Sequence, residues 1–309
     1  MRFAADHVRV TVPGSAGNLG PGFDCLGMAL GVVDTVEVRL LASTDVIVEV
    51  TGEGEGKVPL DGSHLFVSTL RAALDRVDAP GAGLHVTAHN SIPHGQGLGS
   101  SAATAIAALV AARALIAEPD APSDEDILTM ATALEGHPDN AAPALYGGAV
   151  VCWQDDTGAH ATPLVVADGV ETAVVIPHGV VPTVEARASL PASVPHRDAA
   201  FNASRAALLV HALAGSPALL FDATEDRLHQ GYRAGHMPSA IAMMKELRER
   251  GLAAVVSGAG PAVLVLGTNL AGDGFADGPL AWADGIGDDT WRCILTSERV
   301  PGASVERLG

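Results

Sequence analysis

The chain has 309 residues, with 18 Lys plus Arg against 36 Asp plus Glu and a formal net charge of −18; its length points to two domains rather than one. Hydrophobic residues make up 48% of it, enough to bury a sizeable core, which excludes disorder as a description of the whole chain. The scarcity of bases excludes a nucleic-acid binder, which needs a basic face to displace counterions from phosphates, and argues against adsorption to anionic lipid.

Period-two alternation over Val8–Val12, ending at Pro13–Gly14, predicts a first strand. The glycine-rich segment that follows carries two short polar side chains, Asn18 and Asp24. It suits either a ligand that approaches the backbone or an ordinary turn. Val36–Leu40 and Val46–Val50 alternate as two further strands around a polar turn, and Gly52–Gly56 is a glycine-acid loop. The spacing of Leu65, Leu70, Ala73, Leu74 and Val77 predicts a helix over His64–Val77, and Leu84–Ala88 reads as a strand. His85 and His89 lie four apart there but lack the Glu of a His-Glu-x-x-His zinc motif, so they read as a solvated strand edge.

The strongest local signal is the loop Pro93, His94, Gly95, Gln96, Gly97, Leu98 and Gly99, which leads straight into Ser100, Ser101 and Ala102. Its glycines let backbone N–H groups turn toward one point, and a helix starting near Ser100 adds its own free N–H groups and positive dipole end. Such a loop suits a polyphosphate, with the Ser100 and Ser101 hydroxyls available to phosphate oxygen or Mg²⁺. There is no Lys for a Walker loop, and the glycine spacing is wrong for a dinucleotide fingerprint. The alternative is a turn required only by packing. The following residues to Ala117 are apolar almost all round, which predicts a buried helix.

Ser123 with Asp126 resembles a capping box opening a helix that runs to Glu135. Just beyond it stand His137, Asp139 and Asn140. Glu135 and Asp139 are hard oxygen ligands suited to Mg²⁺, and His137 can titrate or donate; helix-end capping is the alternative. Ala149–Trp153 predicts a strand, and the polar run Gln154–Thr162 a hinge, dividing the chain into 1–160 and 161–309. The second half reads as a strand at Ala173–Ile176, helices at Ala199–Ala214 and Ser239–Arg250, and strands at Ala253–Val256 and Ala262–Leu266 around a Ser257–Pro261 turn. The stretch 271–289 matches no element. Strands and helices mix without a strict βαβ rhythm, which predicts an α+β fold. Cys25, Cys152 and Cys293 are too far apart for a metal knuckle and read as free thiols of a reducing compartment. With no apolar leader and no run of the ~20 residues a bilayer demands, a cytoplasmic protein is expected.

In this order the four loops resemble the small-molecule kinases of the galactokinase, homoserine kinase, mevalonate kinase and phosphomevalonate kinase superfamily. Within that group they are similar to the homoserine kinase family. The discriminating segments are Asn18–Asp24, Glu135–Asn140, Thr183–Arg187 and Leu228–Arg233. Small residues stand where the family pattern differs: Ala16–Gly17, Gly231 and Ala259. The resemblance implies an N-terminal domain like ribosomal protein S5 domain 2 and a ferredoxin-like C-terminal domain. It implies ATP at Pro93–Ala102, and transfer of its γ-phosphoryl group to the hydroxyl of L-homoserine. Arg187 and Arg233 match positions that hold the substrate carboxylate, and Asn18, Asp24 and His137 match positions around the amino acid. Thr183 matches a threonine near the transferring phosphate, Ser101 and Glu135 are the candidate Mg²⁺ ligands, and Asp24 is a candidate base. A homodimer is also implied. The alternative is a sibling kinase acting on another alcohol such as mevalonate.

Overall fold

Alternation in β1 (His7–Gly17) puts Val8, Val10 and Val12 on one face, and in the antiparallel β2 (Leu26–Leu41) Val38 and Val36 stand across from Val8 and Val10. The structure, a computed structural model, describes residues 3–79, 81–117, 121–177, 189–270, 291–296 and 300–309. Thr183, Arg187 and the stretch 271–289 lie outside the described residues.

β1 does not end at Pro13–Gly14 as the sequence suggests. It continues to Gly17, with its register on β2 shifting between Pro13 and Gly14. Proline has no N–H for a ladder, and a bulge accommodates it while the strand goes on. Asn18 is thereby delivered from a strand end. β3 (Val46–Gly52) pairs not with β2 but in parallel with β4 (Gly83–Asn90), which lies between β3 and β2; α1 (Leu65–Asp75) makes the crossover. His85 and His89 are therefore not on an edge. They are on an interior strand, where the His85 Nε2 lies 3.4 Å from Glu49.

A buried helix was expected after the glycine loop, and α2 (Ser100–Leu115) is buried on nearly every side from Ala102 onward. Its alanines let β1, α1, α3 (Asp124–Glu135) and α4 (Ala141–Tyr146) approach closely. The capping box is present in full: the Ser123 hydroxyl accepts from the Asp126 N–H, and the Asp126 carboxylate accepts from the Ser123 N–H. The expected hinge is instead a hairpin of β5 (Ala149–Asp155) and β6 (Gly158–Pro163), whose turn is closed by the Thr157 N–H donating to the Asp155 carboxylate at 2.7 Å.

A second sheet holds β7 (Val170–Ile176), β8 (Ala253–Val256), β9 (Val263–Thr268) and β10 (Arg292–Thr296) in the order β10-β7-β9-β8, all antiparallel. Helices α5 (His196–Gly215), α6 (Leu220–Ala223), α7 (Gln230–Arg233) and α8 (Pro238–Glu249) accompany it. Val175, Val256, Val263 and Val265 pack with Met243 and Leu247 of α8 into a smaller core. Val174, Val255 and Leu264, of alternate register, join Leu209 and Leu213 of α5 in the main core. Both faces of this sheet are thus covered, which is why its strands read as continuous apolar runs. The last strand, β11 (Ser304–Arg307), returns to pair with β1, giving a first sheet in the order β11-β1-β2-β4-β3 with β5 and β6 attached through β2. The architecture is mixed α+β. All three cysteines are free, and among the described residues no helix is long and apolar enough to cross a membrane.

Candidate active site

The four loops singled out in the sequence meet at one cleft of about 370 Å³. In the glycine loop, Gly97 and Gly99 take φ of 82° and 68°, a left-handed conformation that side chains rarely tolerate. Gly99 is the N-cap of α2 and has no side chain to satisfy the first-turn N–H groups, so these and the dipole end suit an anion. The loop is held from both sides. The Ser15 N–H donates to the Leu98 carbonyl at 2.9 Å, and the Ala262 N–H to the Gln96 carbonyl at 3.1 Å. The Ser257 hydroxyl donates to the Gly97 carbonyl at 2.7 Å.

Of the residues expected at phosphate, His94, Gly95, Gly97, Leu98, Gly99, Ser100 and Ser101 line the cleft. Pro93, Gln96 and Ala102 do not; Ala102 is fully buried beneath the helix start. The Ser101 hydroxyl donates to Glu135 Oε2 at 3.0 Å, and burial pushes the Glu135 carboxyl above its ordinary range despite that bond. The two elements that carry this pair, the first turn of α2 and the last residue of α3, are fixed by the packing of α2 and the capping box of α3. A half-buried carboxylate beside an exposed hydroxyl, both oxygen donors, is a donor set that fits Mg²⁺.

The same cleft holds the polar groups expected at an amino acid. Asn18 and Asp24 both adopt positive φ, 69° and 58°. The amide of Asn18 is engaged at both ends, donating to the Gly258 carbonyl at 3.0 Å and accepting the Asp24 N–H at 3.0 Å. It fixes the loop that presents Asp24. His137 follows Gly136, whose left-handed φ of 86° stops α3 and turns the chain inward. Its Nδ1 is hydrogen-bonded to Asp139. A carboxylate only accepts, so Nδ1 carries the proton. Arg233, at the end of α7, is 3% exposed and donates from Nη1 to the Gly258 carbonyl at 3.3 Å. Among the described residues Asp24, His137 and Asp139 also form a group whose possible metal-ligand atoms lie within 4.8 Å of one another. Glu135 is not a member of that group, but its carboxyl feels the charges of His137 and Asp139.

Sequence reasoning missed several groups here. Asp34 is buried in β2 and accepts the N–H groups of Ser91 and Ile92 at 2.7 and 2.9 Å, which anchors the start of the glycine loop; burial raises its pKa. Asn140 accepts from the Ser15 hydroxyl at 3.1 Å. His64 lines the cleft, as do the apolar Val58, Pro59 and Phe66, and burial lowers its pKa. Its Nδ1 has no hydrogen-bond partner among the described residues. Nothing local marks these roles: Asp34 acts on residues 57 and 58 positions away, His64 faces the cleft itself, and Asn140, although it stands in the Glu135–Asn140 segment, acts on Ser15 across 125 positions.

A family model described as GHMP kinases N terminal domain matches residues 64–148. A homoserine kinase from Clavibacter michiganensis is 48% identical over 263 residues, 85% of this chain and 83% of the relative. One from Leifsonia xyli is 44% identical over 304 residues, 97% and 92% of the two chains. Among solved structures, the crystal structure of homoserine kinase from Cytophaga hutchinsonii superposes with a TM-score of 0.85 at 25% identity, covering 99% of each chain.

Proposed function

This chain belongs to the homoserine kinases of the GHMP kinase family, which phosphorylate homoserine with ATP on the route to threonine, and we propose how its cleft divides that work. The observation that carries the assignment is convergence: the glycine loop, the Ser101–Glu135 pair and the Asp24–His137–Arg233 group line the same cleft.

The N–H groups of the glycine loop and of the first turn of α2 hold the phosphates, and the apolar Val58, Pro59 and Phe66 take the base. Ser101 and Glu135 would hold Mg²⁺, which supplies charge neutralisation between the phosphates. Arg233, and Arg187 by its match to the family pattern, hold the substrate carboxylate, since a guanidinium fork meets a carboxylate on two donors. Asp24, presented by Asn18, takes the ammonium, and His137, oriented by Asp139, borders the same space. Thr183 is assigned to the transferring phosphate. Phosphoryl transfer depends chiefly on positioning and charge stabilisation, so no strong base is required; a second reading gives Asp24 the hydroxyl proton. We further assign residues 1–160 to an S5 domain 2-like unit and 161–309 to a ferredoxin-like unit, with β6 and β11 as the elements that cross the division, and a homodimer as the assembly.

A coupled assay of ADP release across homoserine, mevalonate, galactose and threonine tests the substrate. Homoserine is expected to turn over fastest; mevalonate has a carboxylate but no ammonium for Asp24. Turnover of another alcohol with none of homoserine overturns the assignment. For the clamp, Arg233→Ala is expected to raise the homoserine KM about 10- to 100-fold, the worth of a charge-assisted hydrogen bond of about 1.5–3 kcal/mol, with the KM for ATP unmoved. An unaltered homoserine KM in a folded variant removes Arg233 from the clamp.

A further inference from the structure

His229 is wholly buried, and no part of the scheme above uses it. Its Nε2 lies 2.7 Å from the carbonyl oxygen of Gly20, which can only accept, so Nε2 carries the ring proton. Nδ1 is then an acceptor, and it lies 3.3 Å from Nη1 of Arg233, which can only donate. The two partners select the same neutral tautomer, and burial, which lowers the pKa of the ring, favours that neutral form. The imidazole also stacks on Phe23 with ring centroids 5.2 Å apart, and the Arg233 guanidinium carbon sits 5.5 Å from the centre of the same ring.

The backbone of His229 is itself tied down. The Asp226 carboxylate accepts the N–H groups of Leu228, His229 and Gln230 at 2.9, 3.1 and 2.8 Å. The Gln230 side chain accepts the Val256 N–H at 2.7 Å, which joins α7 to the second sheet. One rigidly held ring therefore reaches in two directions. Through Gly20 and Phe23 it grips the loop that presents Asp24, and through Nδ1 it grips Arg233. These are the groups assigned to the opposite charges of the substrate.

We propose that His229 is a positioning residue that fixes Arg233 relative to the Gly20–Asp24 loop, and so selects alcohols that carry a carboxylate and an ammonium on one carbon. This rests on the reading of Arg233 and Asp24 as the two arms of the clamp. A ring that merely filled space would need neither polar contact, and its loss would weaken all substrates alike.

The discriminating measurement is the ratio of kcat/KM for homoserine to that for 3-aminopropan-1-ol, which keeps the hydroxyl and the ammonium but lacks the carboxylate. His229→Phe keeps the ring and its stacking and removes both polar contacts. It is expected to lower the ratio about 10- to 30-fold through the homoserine KM, with the KM for ATP unchanged, in line with the loss of alignment of one charge-assisted donor. His229→Asn, whose Oδ1 can stand in for Nδ1 toward Arg233, is expected to recover part of the ratio. His229→Gln, which keeps a donor for Gly20, carries the same comparison if the phenylalanine variant does not fold. A ratio unchanged in folded His229 variants, while Arg233→Ala lowers it, overturns the positioning role and leaves the clamp standing. A ratio unchanged in Arg233→Ala overturns the clamp reading and this proposal with it.

Discussion

Glu135→Gln is expected to lower kcat by ~10²–10³-fold in a chain that folds normally, the scale of losing one preorganised electrostatic contact at the reacting phosphate. The geometry explains why folding is spared. Glu135 is the last residue of α3, and its structural contact is the hydrogen bond received from Ser101 at 3.0 Å. A glutamine oxygen can accept the same bond, so the substitution removes charge without removing shape. The raised pKa of Glu135, caused first by burial, adds a sign that can be checked. A carboxyl whose pKa is higher in the folded state than its ordinary 4.5 binds protons more readily folded than unfolded, so stability falls as pH rises from there through the folded value. Above that window the ionised side chain is a net cost to folding, and Glu135→Gln is expected to melt no lower than the parent at pH 7. Mg²⁺ and the proton compete for the carboxylate. The acid limb of kcat/KM should therefore move to lower pH as Mg²⁺ is raised, and in the variant this movement should vanish. Steady-state kinetics at two Mg²⁺ concentrations, with melting curves alongside, read all three effects. A variant with normal kcat and normal Mg²⁺ dependence would take Glu135 out of the metal site.

How much of this was legible in the sequence depends on how far each signal reaches along the chain. The capping box at Ser123 and Asp126 spans four residues and is met in full. The burial of α2 shows in its own composition, because a helix with no polar face has nowhere to be except inside. The glycines before it announce their loop for the same local reason. Pairing is another matter. Nothing in Val46–Val50 says that it will lie parallel to β4 rather than beside β2, and nothing in Ser304–Arg307 says that it will return to β1. The polar run Gln154–Thr162 reads as a linker because its strand residues are partly exposed; the hairpin it forms is visible only through its partner β5. At the site, the family pattern led to Asn18, Asp24, His137 and Arg233, but it did not reveal what holds them. Asp34, Asp139, Asn140 and His229 act by contacts with backbone or with other side chains, and a contact over 209 positions, as between His229 and Gly20, leaves no mark in local composition.

Gly97→Ala is expected to damage both the fold and nucleotide binding, and a comparison with Gly56→Ala separates the causes. Both glycines have positive φ, 82° and 68°, so an alanine at either costs roughly 1–2 kcal/mol of backbone strain. Gly56 has nothing within 4 Å of the added methyl, and strain is all it should lose. At Gly97 the methyl carbon would stand 2.3 Å from the Ser257 carbonyl oxygen and 3.0 Å from both the N and the O of Gly260. Those are backbone atoms of the turn between β8 and β9, and they cannot rotate away. Accommodation requires the glycine loop to move from that turn, which gives up the hydrogen bonds from Ser257 to Gly97 and from Ala262 to Gln96. Overpacking of this kind adds about 1–3 kcal/mol, a large share of a total stability of about 5–15 kcal/mol. At about 2–4 °C per kcal/mol, Gly97→Ala should therefore melt several degrees below Gly56→Ala. The same displacement turns the loop N–H groups away from the first turn of α2, and with them the anion site those groups build together. The KM for ATP should rise about tenfold or more in Gly97→Ala and stay unchanged in Gly56→Ala, in proportion to a loss of about 1.4 kcal/mol per factor of ten. Equal melting temperatures and equal ATP affinities in the two variants would mean that the glycine loop yields freely, and that its contact with the β8–β9 turn does not shape the phosphate site.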